Sequence, residues 1–224
     1  MQNSLTRAEI EREISMAEIA RNPADFKGKT LPGLNLIDTM VGIGLDLREA
    51  VILGPVSLGS TNICGDLNLM GAKIEKGFYF GGGNLSGNLN LNQAKAGEPI
   101  NLVGSQIMGS LNFEGLEISG FVSLAKARIE GGINFKNVRI KTTEYEGLNI
   151  IGDLYLNQTV ILGGIDLTGA KIEGNLDFSE AYIEGSINLT SAQIGNLLIL
   201  RDAKIKGDLI IKDTKYKKII ERRM

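Results

Sequence analysis

The chain has 224 residues, a formal net charge of −2, 43% hydrophobic residues, 29 glycines, one cysteine and no histidine. The missing imidazole excludes chemistry that needs histidine as a base or metal ligand, and a lone cysteine excludes a disulfide framework and argues against a transition-metal site. Charges throughout residues 1–24 and the lack of any apolar run approaching about 18 residues predict no signal peptide and no transmembrane segment, so the expectation is a soluble protein of a reducing, cytoplasmic compartment.

Thr6-Arg7-Ala8-Glu9 has the form of a capping box, in which the Thr6 hydroxyl accepts from the Glu9 N–H and the Glu9 carboxylate reaches back. Leu5 and Ile10 stand at the hydrophobic-staple positions, Ile10, Ile14 and Ala17 make a helical stripe, and Asn22-Pro23 ends it. The spacing predicts a helix within residues 1–24 that caps whatever follows, covering a strand edge that would otherwise present unpaired backbone groups. Docking a partner is the alternative use of such a helix.

From Leu34 onward one eleven-residue unit, Leu-x-Leu-x-x-Ala-x-Ile-x-Gly-x, recurs about seventeen times. Its first column runs Leu34, Leu45, Val56, Leu67, Phe78, Leu89 and on to Leu209; its later columns hold residues such as Ala50, Ala72 and Ala94, then Ile52, Ile63 and Ile74. A helix would space its apolar residues by threes and fours, and a long strand by unbroken twos. The mixed spacing fits two very short strands, each followed by a corner, stacked as a solenoid in which a unit buries its apolar face only against its neighbours. In the first column the residues other than leucine fall at Val56, Phe78, Ile100, Val122, Thr143, Ile165 and Ile187, about two units apart, with Ile133 an exception among the leucines of the alternate rungs. Residues that stack resemble one another, so the coil has about 22 residues and four short sides. With coils about 4.8 Å apart, roughly eight of them make a rod ~40 Å long. The expected fold is an all-β solenoid, a quadrilateral β-helix with an N-terminal capping α-helix: solenoid over 25–213, a basic tail over 214–224, one domain in all.

Three places depart from the unit. Gly81-Gly82-Gly83 follows Phe78 and Phe80, but strands rather than a helix come next and no Gly-Lys-Ser/Thr is present, so small beside large reads as packing and not as a phosphate cradle. Between Ile140 and Leu154 the register slips by one residue, around Lys141-Thr142-Thr143-Glu144-Tyr145-Glu146, where a kink or bulge is expected. In the last coils the outward positions Leu197, Ile199 and Ile210 turn apolar, and residues 204–224 carry eight Lys and Arg against three acids, a net of +5 in a chain of −2. An apolar surface needs a cover. The tail folding back through Ile219 and Ile220 would supply one; a second copy packed end to end, as a homodimer through the C-terminal coils, would supply another. Leu197, Ile199, Ile210, Ile219 and Ile220 are therefore the candidate partner or dimer surface. Lysines and arginines before the isoleucine column (Lys73, Lys95, Arg128, Arg139, Lys171, Lys204) and glutamates after it (Glu75, Glu130, Glu173, Glu184) read as solvated ion pairs, each worth little.

The steps Leu67-Asn68-Leu69, Leu89-Asn90-Leu91, Ile165-Asp166-Leu167 and Ile187-Asn188-Leu189 resemble the Asp/Asn-Leu core of the pentapeptide-repeat family. A larger residue stands where that family has alanine, and five and six residues alternate where it keeps strict pentads. The resemblance covers most of the chain. It implies a right-handed coil and, through members that mimic duplex DNA, a modulator of a DNA topoisomerase. Duplex DNA carries one charge per ~1.7 Å, so a mimic ~40 Å long would need over twenty negative charges, and the rod outside the tail has about seven. No catalytic set converges, and no catalytic, metal or cofactor residue is assigned. The sequence thus predicts a non-enzymatic interaction scaffold for an unknown protein partner, bound through the faces or an end of a rigid rod, without direct nucleic-acid binding. Self-assembly into a dimer or filament is the further alternative; the N-terminal helix, by blocking one end, argues against open filaments.

Overall fold

The computed structural model describes residues 4–141, 143–145, 148–150 and 152–221. One helix, Arg7–Ala20, precedes a parallel β-solenoid of about eight turns with four sides. Sheet A runs from Ala24–Asp25 to Leu209–Ile210, sheet B from Thr30–Leu31 to Gln193–Ile194, sheet C from Leu34–Asn35 to Lys218–Ile220, and sheet D from Met40–Val41 to Lys204–Ile205. The chain visits them in the order A, B, C, D in each turn. Leu45, Leu67, Leu89 and Leu111 stack in register on sheet A, each 22 residues from the next.

Each strand is short because corners are written into every unit. In most units the residue between the two leucines is an Asn or Asp, and where it is, its Oδ1 accepts the N–H two residues on. Asn90 takes that of Asn92 at 3.0 Å, Asn134 that of Lys136 at 2.9 Å, and Asp166 that of Thr168 at 2.9 Å. These Asx turns begin the bend. Three residues after the Asn or Asp position the backbone takes a positive φ, at Asp38, Glu49 and Ser60 and at every eleventh residue to Asn137, then again from Gln158 to Asp213. The N–H of the small residue closes the turn on the carbonyl three back, as Ala50 does on Leu47 at 3.2 Å and Ala192 on Leu189 at 2.9 Å. Where that residue is Thr61 or Thr159, its buried hydroxyl donates to a carbonyl of the preceding coil, Leu36 at 2.6 Å and Leu124 at 2.9 Å. Gly83 fills the same column beside Phe80, whose ring would lie 2.7 Å from an added Cβ. That contact accounts for the small residue there.

The corner from sheet D to sheet A is built differently. Gly65, Gly87, Gly109, Gly131, Gly163, Gly185 and Gly207 stack there, so closely that a Cβ on Gly185 would sit 2.5 Å from the Gly164 nitrogen. Glycine is required by backbone packed on backbone. Asp66 and Asn88 add an inter-coil ladder beside it: Asp66 Oδ1 accepts the Asn88 N–H at 2.7 Å, and Asn88 Oδ1 accepts the Ser110 N–H at 2.9 Å.

One turn breaks the count. Ile118 pairs with Ile140, 22 residues on, but Val122 pairs with Leu154 and Ile133 with Ile165, each 32 residues on. The extra ten residues leave the rod at the corner between sheets B and C, and there Thr143–Tyr145 pairs antiparallel with Leu148–Ile150. This corrects the sequence reading, which placed Thr143 on a rung and expected a kink or bulge. Ten residues are one short of a unit, so counting through the excursion showed only a slip of one. Beyond it the columns exchange sides: Leu154, Leu176 and Leu198 stack under Val122, while Ile165 and Ile187 stack under Ile133. Residues 142 and 146 and the side chains of Thr143 and Tyr145 lie outside the described residues.

Two outcomes follow from this construction. Gly185→Ala, which forces backbone against backbone, lowers stability in chemical denaturation by about 2 kcal/mol or more, whereas Gly59→Ala, whose Cβ meets only the Gly81 oxygen at 3.8 Å, changes it by less than about 0.5 kcal/mol. Deleting residues 142–151 restores the four-residue step from Ile140 to Leu154 that Ile118 to Val122 already makes. The shortened chain unfolds in one cooperative transition within about 1 kcal/mol of the parent; loss of cooperativity would show that the hairpin is part of the coil's support.

Candidate functional site

The two ends of the rod are finished differently. At the N-terminal end Ile10, Ile14 and Ala17 are buried on the first coil, and the Thr6–Glu9 capping box is formed in both directions. Edge groups find partners on the helix segment: the Leu5 N–H donates to Thr30 O at 2.8 Å, the Gly42 N–H to Glu18 Oε1 at 2.9 Å, and the Asp25 N–H to Glu13 Oε1 at 3.3 Å. Glu18 and Glu13 thus stand where a preceding coil would have offered carbonyls.

At the C-terminal end no helix follows among the described residues. The last coil comprises Lys204–Ile205 on sheet D, Leu209–Ile210 on sheet A, Lys215 bridged to Gln193 beside sheet B, and Lys218–Ile220 on sheet C. Its inward residues Ile205, Leu209, Tyr216 and Ile219 are only partly buried, and Ile211 is 42% exposed, although its counterparts Leu69 and Leu91 in the middle of the rod are fully buried. The core simply ends, open to solvent.

The five residues singled out from the sequence do not form one patch. Leu197, Ile199 and Ile220 share the outer face of sheet C, where Leu197 pairs with Lys218 and Ile199 with Ile220. Ile219 turns inward onto Leu198, so the segment from 214 enters the coil as its last side. Ile210 lies on sheet A, the opposite face, and is 41% exposed. Sequence reasoning weighed outward apolar residues and passed over the inward ones; the signal for Ile205, Leu209, Ile211 and Tyr216 was that their columns have no successor.

Cations ring this open end. Lys204, Lys206, Lys212, Lys215, Lys217 and Lys218 are all exposed on the last coil. Farther back, several lysines and arginines have partners: Lys73 with Glu75 at 2.9 Å, Lys76 with Glu98 at 3.1 Å, Arg128 with Glu130 at 2.8 Å. Glu117 lies between Lys95 and Arg139, and the Lys95 charge above all holds its carboxyl below the usual range. Among the described residues none of the six end lysines is in an ion pair; Lys217 donates to the Asn196 amide oxygen at 2.8 Å.

Two other features resemble sites and are explained by the fold. A shallow groove of about 560 Å³ runs along Asn112, Asn134, Asp166 and Asn188 on sheet A, but these side chains are occupied by their own Asx turns. Asp153, only 4% exposed, accepts from the Tyr155 hydroxyl at 2.6 Å and from the Asn175 backbone and side-chain N–H groups. It braces the corner where the chain re-enters the rod. Among the described residues no group of three or more His, Cys, Asp or Glu side chains is placed to hold a metal ion, and no helix is long and apolar enough to cross a membrane. No protein-family model matches this chain, nor does any curated protein or solved structure.

Burial, and then the hydrogen bond to Asp153, push the Tyr155 phenol up to about 12 from an ordinary 10.0. A raised folded value means that this contribution to stability is whole below pH 10 and is lost as pH rises toward 12. Ultraviolet titration of tyrosinate should therefore show one late ionisation that disappears in Tyr155→Phe; an unchanged titration would show that the phenol is not held by Asp153.

Proposed function

We propose that this protein is a non-enzymatic interaction scaffold of the cytoplasm, a rigid β-solenoid that binds a protein partner at its C-terminal end. The observation that carries the reading is the contrast between the ends: one core end closed by a helix, the other left open beside exposed lysines that, among the described residues, make no ion pair. The lateral faces support it by default, since their Asn and Asp ladders serve the corners. Kinship with pentapeptide-repeat proteins is part of the same proposal, supported by the four-sided coil and by Asn or Asp beside leucine at many of the bends.

Two other readings find less support. Mimicry of a polyanion is opposed by the cations Lys73, Lys95, Arg139 and Lys171, which stack on the outer face of sheet B around Glu117. A homodimer through the C-terminal coils would bring two lysine rims together, and like charges in close opposition are destabilising.

The test is site-specific photocrosslinking in cells, with the crosslinker replacing Ile211 at the open end or Asn90 on a lateral face, alongside incubation of the purified protein with a metabolite extract. The expected result is a discrete protein adduct from position 211, little from position 90, and no metabolite consumed. Saturable turnover of any metabolite would sink the non-enzymatic reading, and adducts from position 90 alone would move the binding surface to the faces.

A further inference from the structure

The open end is directional as well as apolar. On sheets A and C each coil donates its N–H groups to carbonyls of the following coil, as Leu45 does to Asp66 at 2.9 Å and Ile187 to Asp208 at 2.8 Å. On sheets B and D N–H groups are also given to the coil before, as Lys204 does to Ala181 at 2.7 Å and Lys206 to Ile183 at 2.9 Å, while Ile194 on sheet B donates forward to Lys215 at 2.7 Å. Carried to the last coil, these pairings aim the Leu209 and Ile211 N–H groups and the Ala203 and Ile205 carbonyls at the place of a next coil. Between these groups lie the side chains of Ile205, Leu209 and Ile211. Around them stand Lys204, Lys206 and Lys212.

We propose that this edge takes up an extended acidic segment of a partner protein, laid along the sides formed by sheets D and A as an added turn of the solenoid. The proposal rests on the scaffold reading and names the chemistry of its partner. Main-chain pairing gives such a segment its hold, and alternate side chains give it specificity. Its inward residues are apolar, resting on Ile205, Leu209 and Ile211; its outward residues are Asp or Glu, facing Lys204, Lys206 and Lys212. An anionic bilayer would satisfy the lysines and the isoleucines but would leave the backbone donors and acceptors without partners. A second copy would satisfy the backbone but set lysine against lysine. An acidic strand meets all three requirements.

The test is fluorescence anisotropy with the full chain and a fluorescein-labelled peptide of about ten residues that alternates valine with glutamate. The same peptide with lysine for glutamate, and vesicles containing phosphatidylserine, serve as competitors. The acidic peptide binds, its affinity falls as salt is raised, and the lysine peptide binds at least about tenfold more weakly. The combined variant Lys204→Glu, Lys206→Glu, Lys212→Glu weakens acidic-peptide binding by about tenfold or more, and Ile211→Glu weakens it independently. All four positions are exposed, so circular dichroism should match the parent; if a variant fails to fold, the comparison of the two peptides on the parent chain decides alone. No binding of the acidic peptide up to about 1 mM, equal binding of both peptides, or competition by vesicles with no preference between the peptides would each overturn the proposal, the last in favour of a membrane surface. Concentration-dependent dimerisation by light scattering that the triple variant abolishes would overturn it in favour of a second copy. Failure of the peptide with a persisting crosslink at position 211 would leave the scaffold standing and remove only its acidic partner.

Discussion

A side chain in this rod is buried by the other sides of its own coil and by the coils before and after it. Leu89 lies between Leu67 and Leu111 in its column, inside the core that the four sheets enclose. Identity between neighbours follows directly, because a residue that fits its column also fits the residues it stacks on. So do the corners, which must recur at one place or the columns fall out of line. The stack of glycines from Gly65 to Gly207 and the positive-φ residues at eleven-residue spacing keep that registration. Interactions that in a globular domain would be free to carry function are committed here: Asn90 and Asp166 each hold a bend, and Asp66 and Asn88 tie one coil to the next.

The same dependence creates a problem that only the ends have. The first coil lacks a predecessor, and the chain answers with Ile10, Ile14 and Ala17 over the core and the Glu13 and Glu18 carboxylates on the edge N–H groups. Over the last coil no further coil lies among the described residues. Strand Lys218–Ile220 extends sheet C, but nothing described lies over Ile211. A parallel edge of this kind is a template for another strand. Surrounding it with lysines discourages a second copy of the chain and leaves attraction only for a segment of opposite sign.

How far the fold could be read from the sequence divides along the same line. Short-range information was plain. The spacing excluded helix and long strand, the alternating first column gave the four-sided coil, and Thr6 with Glu9 marked the start of the helix. Two things were not plain, for different reasons. The excursion between Lys141 and Gly152 is so close in length to one unit that it passed as a slip, and Thr143 was counted as a rung; only the pairing of Val122 with Leu154 separates an extruded hairpin from a miscounted repeat. The open end was missed because burial is a property of the stack and not of the residue. Ile211 occupies the same column as Leu69 and Leu91, and its exposure comes from what fails to follow it.

A repeat rod also limits where function can concentrate. Along the sides every coil presents nearly the same backbone, so a lateral site would have to be made by outward residues against a background already engaged in turns or ion pairs. Lys95 and Arg139, both well exposed, are drawn to Glu117. At an end the argument reverses. Backbone donors, backbone acceptors, apolar side chains and exposed charges become available together, in an arrangement the whole stack holds rigid. Preorganisation of that kind reduces the ordering cost that weakens most complexes. The specificity of such an end lies in what the last coil exposes together: Ile205, Leu209 and Ile211 with the lysines beside them.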